Sequence, residues 1–182
     1  MLEKTRKKMA FRYLNYKYRR RKETDITHFH NVLADANRML ICMPMKFDDL
    51  SMSKAVLSLL QFNFPKKDIT LFVNSLLLGG IQQLPYPYIG IEPQQLNYFL
   101  LPNHDIVNQV KDLHVDVAID LNPHLDISSA YVCRESGAKV RVSFFKMEGD
   151  EFFNFQIRPS PEGTPESKYD SLIRYLSAVP AN

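Results

Sequence analysis

The 182-residue sequence has no tryptophan, only two cysteines and only six glycines. Cys42 and Cys133 lack a CxxC spacing and cannot by themselves build a zinc site or a disulfide framework. They read as buried free thiols, one in an apolar run and one in a helix, with a disulfide or redox pair as the alternative. No Gly-x-Gly-x-x-Gly follows the first apolar run, which speaks against a dinucleotide cofactor. Residues 76–80 end in two glycines but lack the spacing and the lysine of a phosphate loop. No apolar run approaches the roughly 18 residues of a membrane span. The basic N-terminus is not followed by an apolar stretch either, because Arg12 interrupts Met9, Ala10 and Phe11, so it does not read as a secretory signal. A cytoplasmic location is expected, with peripheral contact at the inner face of a membrane left open. His28 and His30 form an HxH pair in a polar stretch and read as solvated, so no metal is expected. No cofactor is expected.

What is present is a globular composition, 45% apolar, with an uneven charge. Residues 1–22 hold ten Lys or Arg and one acid, a balance of +9, while the remaining 160 residues balance at −6. A mildly acidic body thus carries a basic arm whose local field the net charge of +3 conceals. The arm has no Pro or Gly, and Phe11, Leu14 and Tyr18 recur at helical steps. Lys7, Lys8, Arg12, Lys17, Arg19, Arg20, Arg21 and Lys22 fill much of the rest. Three readings of this helix are open. Its apolar stripe packs on its own domain; its basic residues neutralise RNA phosphates while tyrosines stack on bases; or it lies on acidic membrane lipid with Phe11, Leu14 and Tyr18 in the interface.

After a connector at 23–37, with a helical piece around His30 to Ala36, the chain alternates. Met39 to Met43 and Ile69 to Val73 are short apolar runs that suit buried parallel strands, separated by a helix at 50–63 with Ser51 or Asp49 as its cap. Residues 74–95 read as a loop with a short helix, irregular where prolines cluster, and Asn97 to Leu101 as a third strand. A helix at 104–113 opens at Asn103 or His104, and Val115 to Leu121 is a strand. A helix at 126–136 is capped by Asp126 and ended by Gly137. Lys139 to Phe145 alternates and is expected nearer an edge. Phe152 to Ile157 is a last strand, and 166–178 a closing helix. The expected fold is α/β: a single Rossmann-like, doubly wound, mostly parallel sheet at 38–182 with flanking helices and the basic arm at 1–22.

Two stretches carry a more specific likeness. Residues 39–73, with Phe64-Pro65 before Ile69, Thr70 and Val73, resemble the opening strand, loop, helix and strand of the bacterial ADP-heptose heptosyltransferases. Residues 116–144, with Asp120-Leu121 and the run from Ser136 through Gly137, Ala138, Lys139 and Arg141 to Phe144, resemble that family's later strand, helix and closing strand; Ser143 stands where the family has Gly. The resemblance implies the N-terminal, acceptor-side lobe of a two-lobed glycosyltransferase, and these 182 residues leave no room for the donor lobe. By position the family's proposed base falls on Asp49, with Asp48 replacing a glycine. A carboxylate there sits at the edge where open α/β sheets bind ligands, although both aspartates also read as caps of the following helix. Asn122 and His124 belong to the same edge, as does Lys46, a candidate for a phosphate; His124 and Lys46 also read as ordinary exposed residues. The overall layout resembles, less specifically, small uncharacterised single-lobe proteins of Bacteroidetes-type bacteria.

The functional expectation is a non-catalytic, single-lobe binding module held on RNA or acidic membrane lipid by residues 1–22. The alternatives are the acceptor half of a split glycosyltransferase completed by a second protein chain, and a docking protein that uses the apolar stripe of the arm.

Overall fold

The computed structural model describes residues 2–19, 29–65, 67–81, 84–158 and 164–178. Six strands, β1 (Arg38–Cys42), β2 (Asp68–Asn74), β3 (Tyr88–Ile91), β4 (Val117–Asp120), β5 (Val140–Phe144) and β6 (Phe155–Ile157), form one sheet in the order β3-β2-β1-β4-β5-β6. Every neighbouring pair is parallel. The chain reverses its direction of winding between β1 and β4, the place where such sheets open a crevice at the carboxyl ends of their strands.

The α-helices among the described residues are α1 (Leu2–Tyr18), α2 (Phe29–Asp35), α3 (Leu50–Asn63), α4 (His104–Asp112), α5 (Ile127–Glu135) and α6 (Pro165–Ser177). Because the strand period is two, β1 turns Met39 and Ile41 to one layer and Leu40 and Cys42 to the other. The first layer holds Leu57 and Leu60 of α3 with Leu172 and Leu176 of α6. The second holds Ile106 and Val110 of α4, Ala130 and Cys133 of α5, and Ala10, Leu14 and Tyr18 of α1. Cover on both faces is why the central strands read as unbroken apolar runs. Among the described residues no helix is long and apolar enough to cross a membrane, and no group of three or more His, Cys, Asp or Glu could hold a metal ion.

Local signals explain several boundaries. Asp126 accepts from the Ser129 amide and opens α5, and Gly137, with φ +77°, follows its end. Asn103 opens α4 by accepting from the Ile106 amide. Cys42 of β1 and Cys133 of α5 are free and buried, with their sulfurs 3.4 Å apart. Burial, and then the neighbouring thiol, raises the Cys42 thiol well above its ordinary range.

Two expectations change. The third strand is Tyr88–Ile91, inside the proline-dense tract read as irregular. Asn97 to Leu101 is instead a tight loop, because the Asn97 side chain accepts from the amides of Phe99 and Leu101 and draws the backbone into a turn. β5 lies next to the edge strand β6, near an edge as expected, but it is buried along its whole length despite its alternating pattern. Its Arg141 is tolerated there because Nε donates to the Phe152 carbonyl at 2.7 Å and Nη1 to that of Ala138 at 2.8 Å.

Candidate functional site: a divided cleft at the carboxyl edge

The loop leaving β1 shapes the site. Its position is set by Asn122, just beyond β4. The Asn122 Oδ1 accepts from the Met45 amide at 2.8 Å. Its Nδ2 donates to Asp120 Oδ1 at 2.6 Å and lies within hydrogen-bond reach of Ser129 Oγ and the Met43 carbonyl. Asp120 in turn forms a buried ion pair with Lys146, whose ammonium lies 4.8 Å from the centre of the Phe153 ring. A charge pair this deep persists only with further hydrogen bonds around it, and Asn122 supplies them. Asn122 thus lines the cleft but commits its amide to the protein, clamping the β1–α3 loop to the end of β4.

That loop carries Lys46 and a 3-10 turn, Phe47–Asp49, that runs straight into α3. Asp49 takes the N-cap position of α3 with helical backbone angles, φ −87° and ψ −8°, and its side chain makes no capping hydrogen bond. The turn continues into the helix without the extended residue that a side-chain cap requires, so capping by Asp49 or Ser51 is not how α3 begins. Asp49 is half-buried and, with Lys46, Asn122 and His124, lines a pocket of about 150 Å³. Asp48 is exposed on the same turn, outside that lining. His124 is exposed; partial burial, then the charges of Lys168 and Lys46, hold its imidazole below the ordinary range. Lys168 itself donates to the Pro123 carbonyl at 2.8 Å.

A second, adjoining pocket of about 320 Å³ lies toward β3, walled by Leu76, Ile91, Leu96 and Leu100. Lys7, Met45, Lys46 and Asp126 border both pockets. Lys7 arrives from α1, so the helix that reads as an appendage contributes to the cleft. Nothing in its own pattern signals this, since the first turns of α1 reach the sheet edge only through packing further along. Burial raises the Asp126 carboxyl above its ordinary range, an effect the Ser129 amide opposes. A larger depression, about 640 Å³, lies at the other end of the strands, around Arg38, Lys67, Asp68 and Tyr86, away from all of the candidate residues.

The structure settles how α1 uses its stripe. Ala10, Leu14 and Tyr18 are buried, and Phe11 packs against Phe152 with ring centres 6.4 Å apart. Lys17 is half-buried and lies 2.6 Å from Glu135 Oε1, which also accepts from the Tyr18 hydroxyl at 2.5 Å. Burial opposes the Lys17 charge but Glu135 more than offsets it, so Lys17 titrates above its ordinary range. Burial likewise pushes Glu135 up, and its hydrogen bonds to Lys17 and Tyr18 outweigh this and hold it below the ordinary carboxylate range. Lys17 is therefore part of the packing. Leu14 and Tyr18 are buried against the body and Phe11 is half-buried there, so in the packed helix these side chains do not face outward. Lys8, Arg12 and Arg19 are exposed, as is Tyr16, while the Tyr13 ring stacks on Phe99 with centres 5.8 Å apart. Arg20, Arg21 and Lys22 lie outside the described residues.

No family model and no curated protein matches the amino-acid sequence. Solved structures do match. The glycosyl transferase family 9 structure from Veillonella parvula DSM 2008 superposes with a TM-score of 0.58 at 14% identity, over 80% of this chain and 42% of that one. The E. coli heptosyltransferase WaaC, solved with ADP, gives a TM-score of 0.60 at 12% identity, over 80% of this chain and 48% of that one. The fold is that of a heptosyltransferase-like lobe. This chain spans less than half the length of either enzyme.

Proposed function

We propose that the protein is a non-catalytic binding module with a heptosyltransferase-like fold, held on RNA by the outward face of α1. The observation that carries this reading is the division of labour on that helix. Packing occupies Ala10, Leu14 and Tyr18, and leaves Lys8, Arg12 and Arg19 exposed, with Arg12 and Arg19 beside Tyr16, which is 79% exposed. Lys and Arg neutralise phosphates, and an exposed ring beside them offers a face for an unstacked base. An acidic membrane is the weaker fit, because the side chains best suited to its interface are buried. The test is fluorescence anisotropy with a labelled single-stranded RNA across a salt series. Affinity falls as salt rises, and replacing Lys8, Arg12 and Arg19 by Ala lowers the slope by about 2, at roughly 0.7 per single-strand phosphate contact. Binding to anionic vesicles with none to RNA replaces the partner, and binding to neither removes the reading.

A second reading is supported by the rim of the cleft. Phe47, Leu76 and Met147 are all exposed at the carboxyl edge, the side on which a second lobe would close. Under it the chain is the acceptor half of a split glycosyltransferase, and Asp49 takes a proton from the acceptor hydroxyl. Purification under native conditions then yields a stoichiometric complex with a second Rossmann-like chain. A monomer with no such companion ends it.

A further inference from the structure

The two pockets at the carboxyl edge meet at a waist bordered by Lys7, Met45, Lys46 and Asp126, two lysines beside one carboxylate. Lys7 comes from α1 and Lys46 from the β1–α3 loop, and both border the two pockets. The first turn of α5 reaches the same place through Ile127 and Ser128. A helix start presents amides without intrahelical partners and the positive end of the helix dipole. Asp126 occupies the amide of Ser129, one of that turn. Ser128 adds an independent sign: it is 7% exposed, lines the wider pocket, and its hydroxyl has no hydrogen-bond partner. A buried hydroxyl without a partner is unfavourable, and a ligand oxygen accepting from it relieves the penalty.

The surrounding charge narrows the ligand. Asp49, Asp126 and Glu92 share the cleft with the two lysines, so its sign is mixed and a polyphosphate is disfavoured. A single phosphoryl group beside hydroxyls suits it better. Carboxylates accept from hydroxyls, and an imidazole held neutral at pH 7, as His124 is, both donates and accepts.

We propose that the waist is a phosphate subsite for a phosphorylated polyol of the sugar-phosphate class. The phosphoryl oxygens lie between Lys7 and Lys46 at the first turn of α5 and accept from Ser128, and the hydroxylated carbons lie toward Asp49 and His124. This site is separate from the RNA-binding face of α1, which uses Lys8, Arg12 and Arg19, so either can fail without the other.

The test is an NMR titration of the full chain with glucose 1-phosphate, glucose and inorganic phosphate. Glucose 1-phosphate shifts the amides of Lys46, Ile127 and Ser128 and binds at least about tenfold more tightly than inorganic phosphate; glucose alone shifts none of them. Lys7→Ala and Lys46→Ala, both at exposed positions, each weaken binding about fivefold or more, matching the loss of one charge-assisted contact. The Lys8→Ala, Arg12→Ala, Arg19→Ala variant binds as the wild type does. Absence of shifts at the three amides, an unchanged affinity in Lys7→Ala or in Lys46→Ala, or equal affinity for inorganic phosphate and glucose 1-phosphate overturns the proposal.

Discussion

The hydroxyl of Tyr18 lies 2.5 Å from Oε1 of Glu135, tying the last turn of α1 to the last turn of α5, and Lys17 meets the same oxygen at 2.6 Å. Tyr18→Phe removes one hydrogen bond to a charged acceptor, expected to cost about 1.5 kcal/mol, since Lys17 still holds the carboxylate. The midpoint of thermal unfolding falls by roughly 3–6 °C.

The same contact sets a pH window. Glu135 titrates below its ordinary range when folded, so its contribution is complete above about pH 4.3 and is lost as pH falls through the folded value. Lys17 titrates above its ordinary range, so its contribution is complete below about pH 10.4 and is lost as pH rises through the folded value. Urea denaturation across pH shows both flanks in the wild type, and Glu135→Gln flattens each of them.

Leu14 is fully buried between α1 and the body. Leu14→Ala therefore leaves a cavity and costs about 2–5 kcal/mol, the range for a core leucine. A loss below 0.5 kcal/mol in urea denaturation means that α1 is not docked in solution.

Breaking the Asp120–Lys146 pair on one side strands a buried charge. Asp120→Ala costs about 3–5 kcal/mol, while Asp120→Asn combined with Lys146→Met costs markedly less, because no unpaired ion remains. Equal losses in the two variants mean that the pair is hydrated rather than sealed.

Asn122 holds the Met45 amide across the cleft. Asn122→Ala releases that donor, and hydrogen exchange at Met45 accelerates about tenfold or more, with the centre of β5 unaffected. Unchanged protection at Met45 shows that another acceptor replaces the side chain.

Much of the layer order was legible from local pattern. Met39 to Met43, Ile69 to Val73 and Val115 to Leu121 declare themselves as doubly covered strands, and Asp126 with Gly137 brackets α5. What escaped depends on partners distant in sequence. β3 is hidden by Pro85 and Pro87 beside a four-residue strand. The full burial of β5 is hidden because Lys139, Arg141 and Ser143 alternate with apolar residues, and the acceptors of Arg141, the carbonyls of Phe152 and Ala138, become apparent only when the loops close over it. At the site, the carboxyl edge was legible for Lys46, Asp49, Asn122 and His124, which line one pocket. The presence of Lys7 there was not, because a helical wheel says which face is apolar but not where the end of the helix comes to rest.

The contact between Cys42 and Cys133 makes the molecule its own stopwatch. Both sulfurs are sealed between β1 and α5, so a bulky alkylating reagent reaches them only when that layer parts. Labelling rates then time the parting directly, and a ligand seated at the start of α5 slows the clock without touching either thiol.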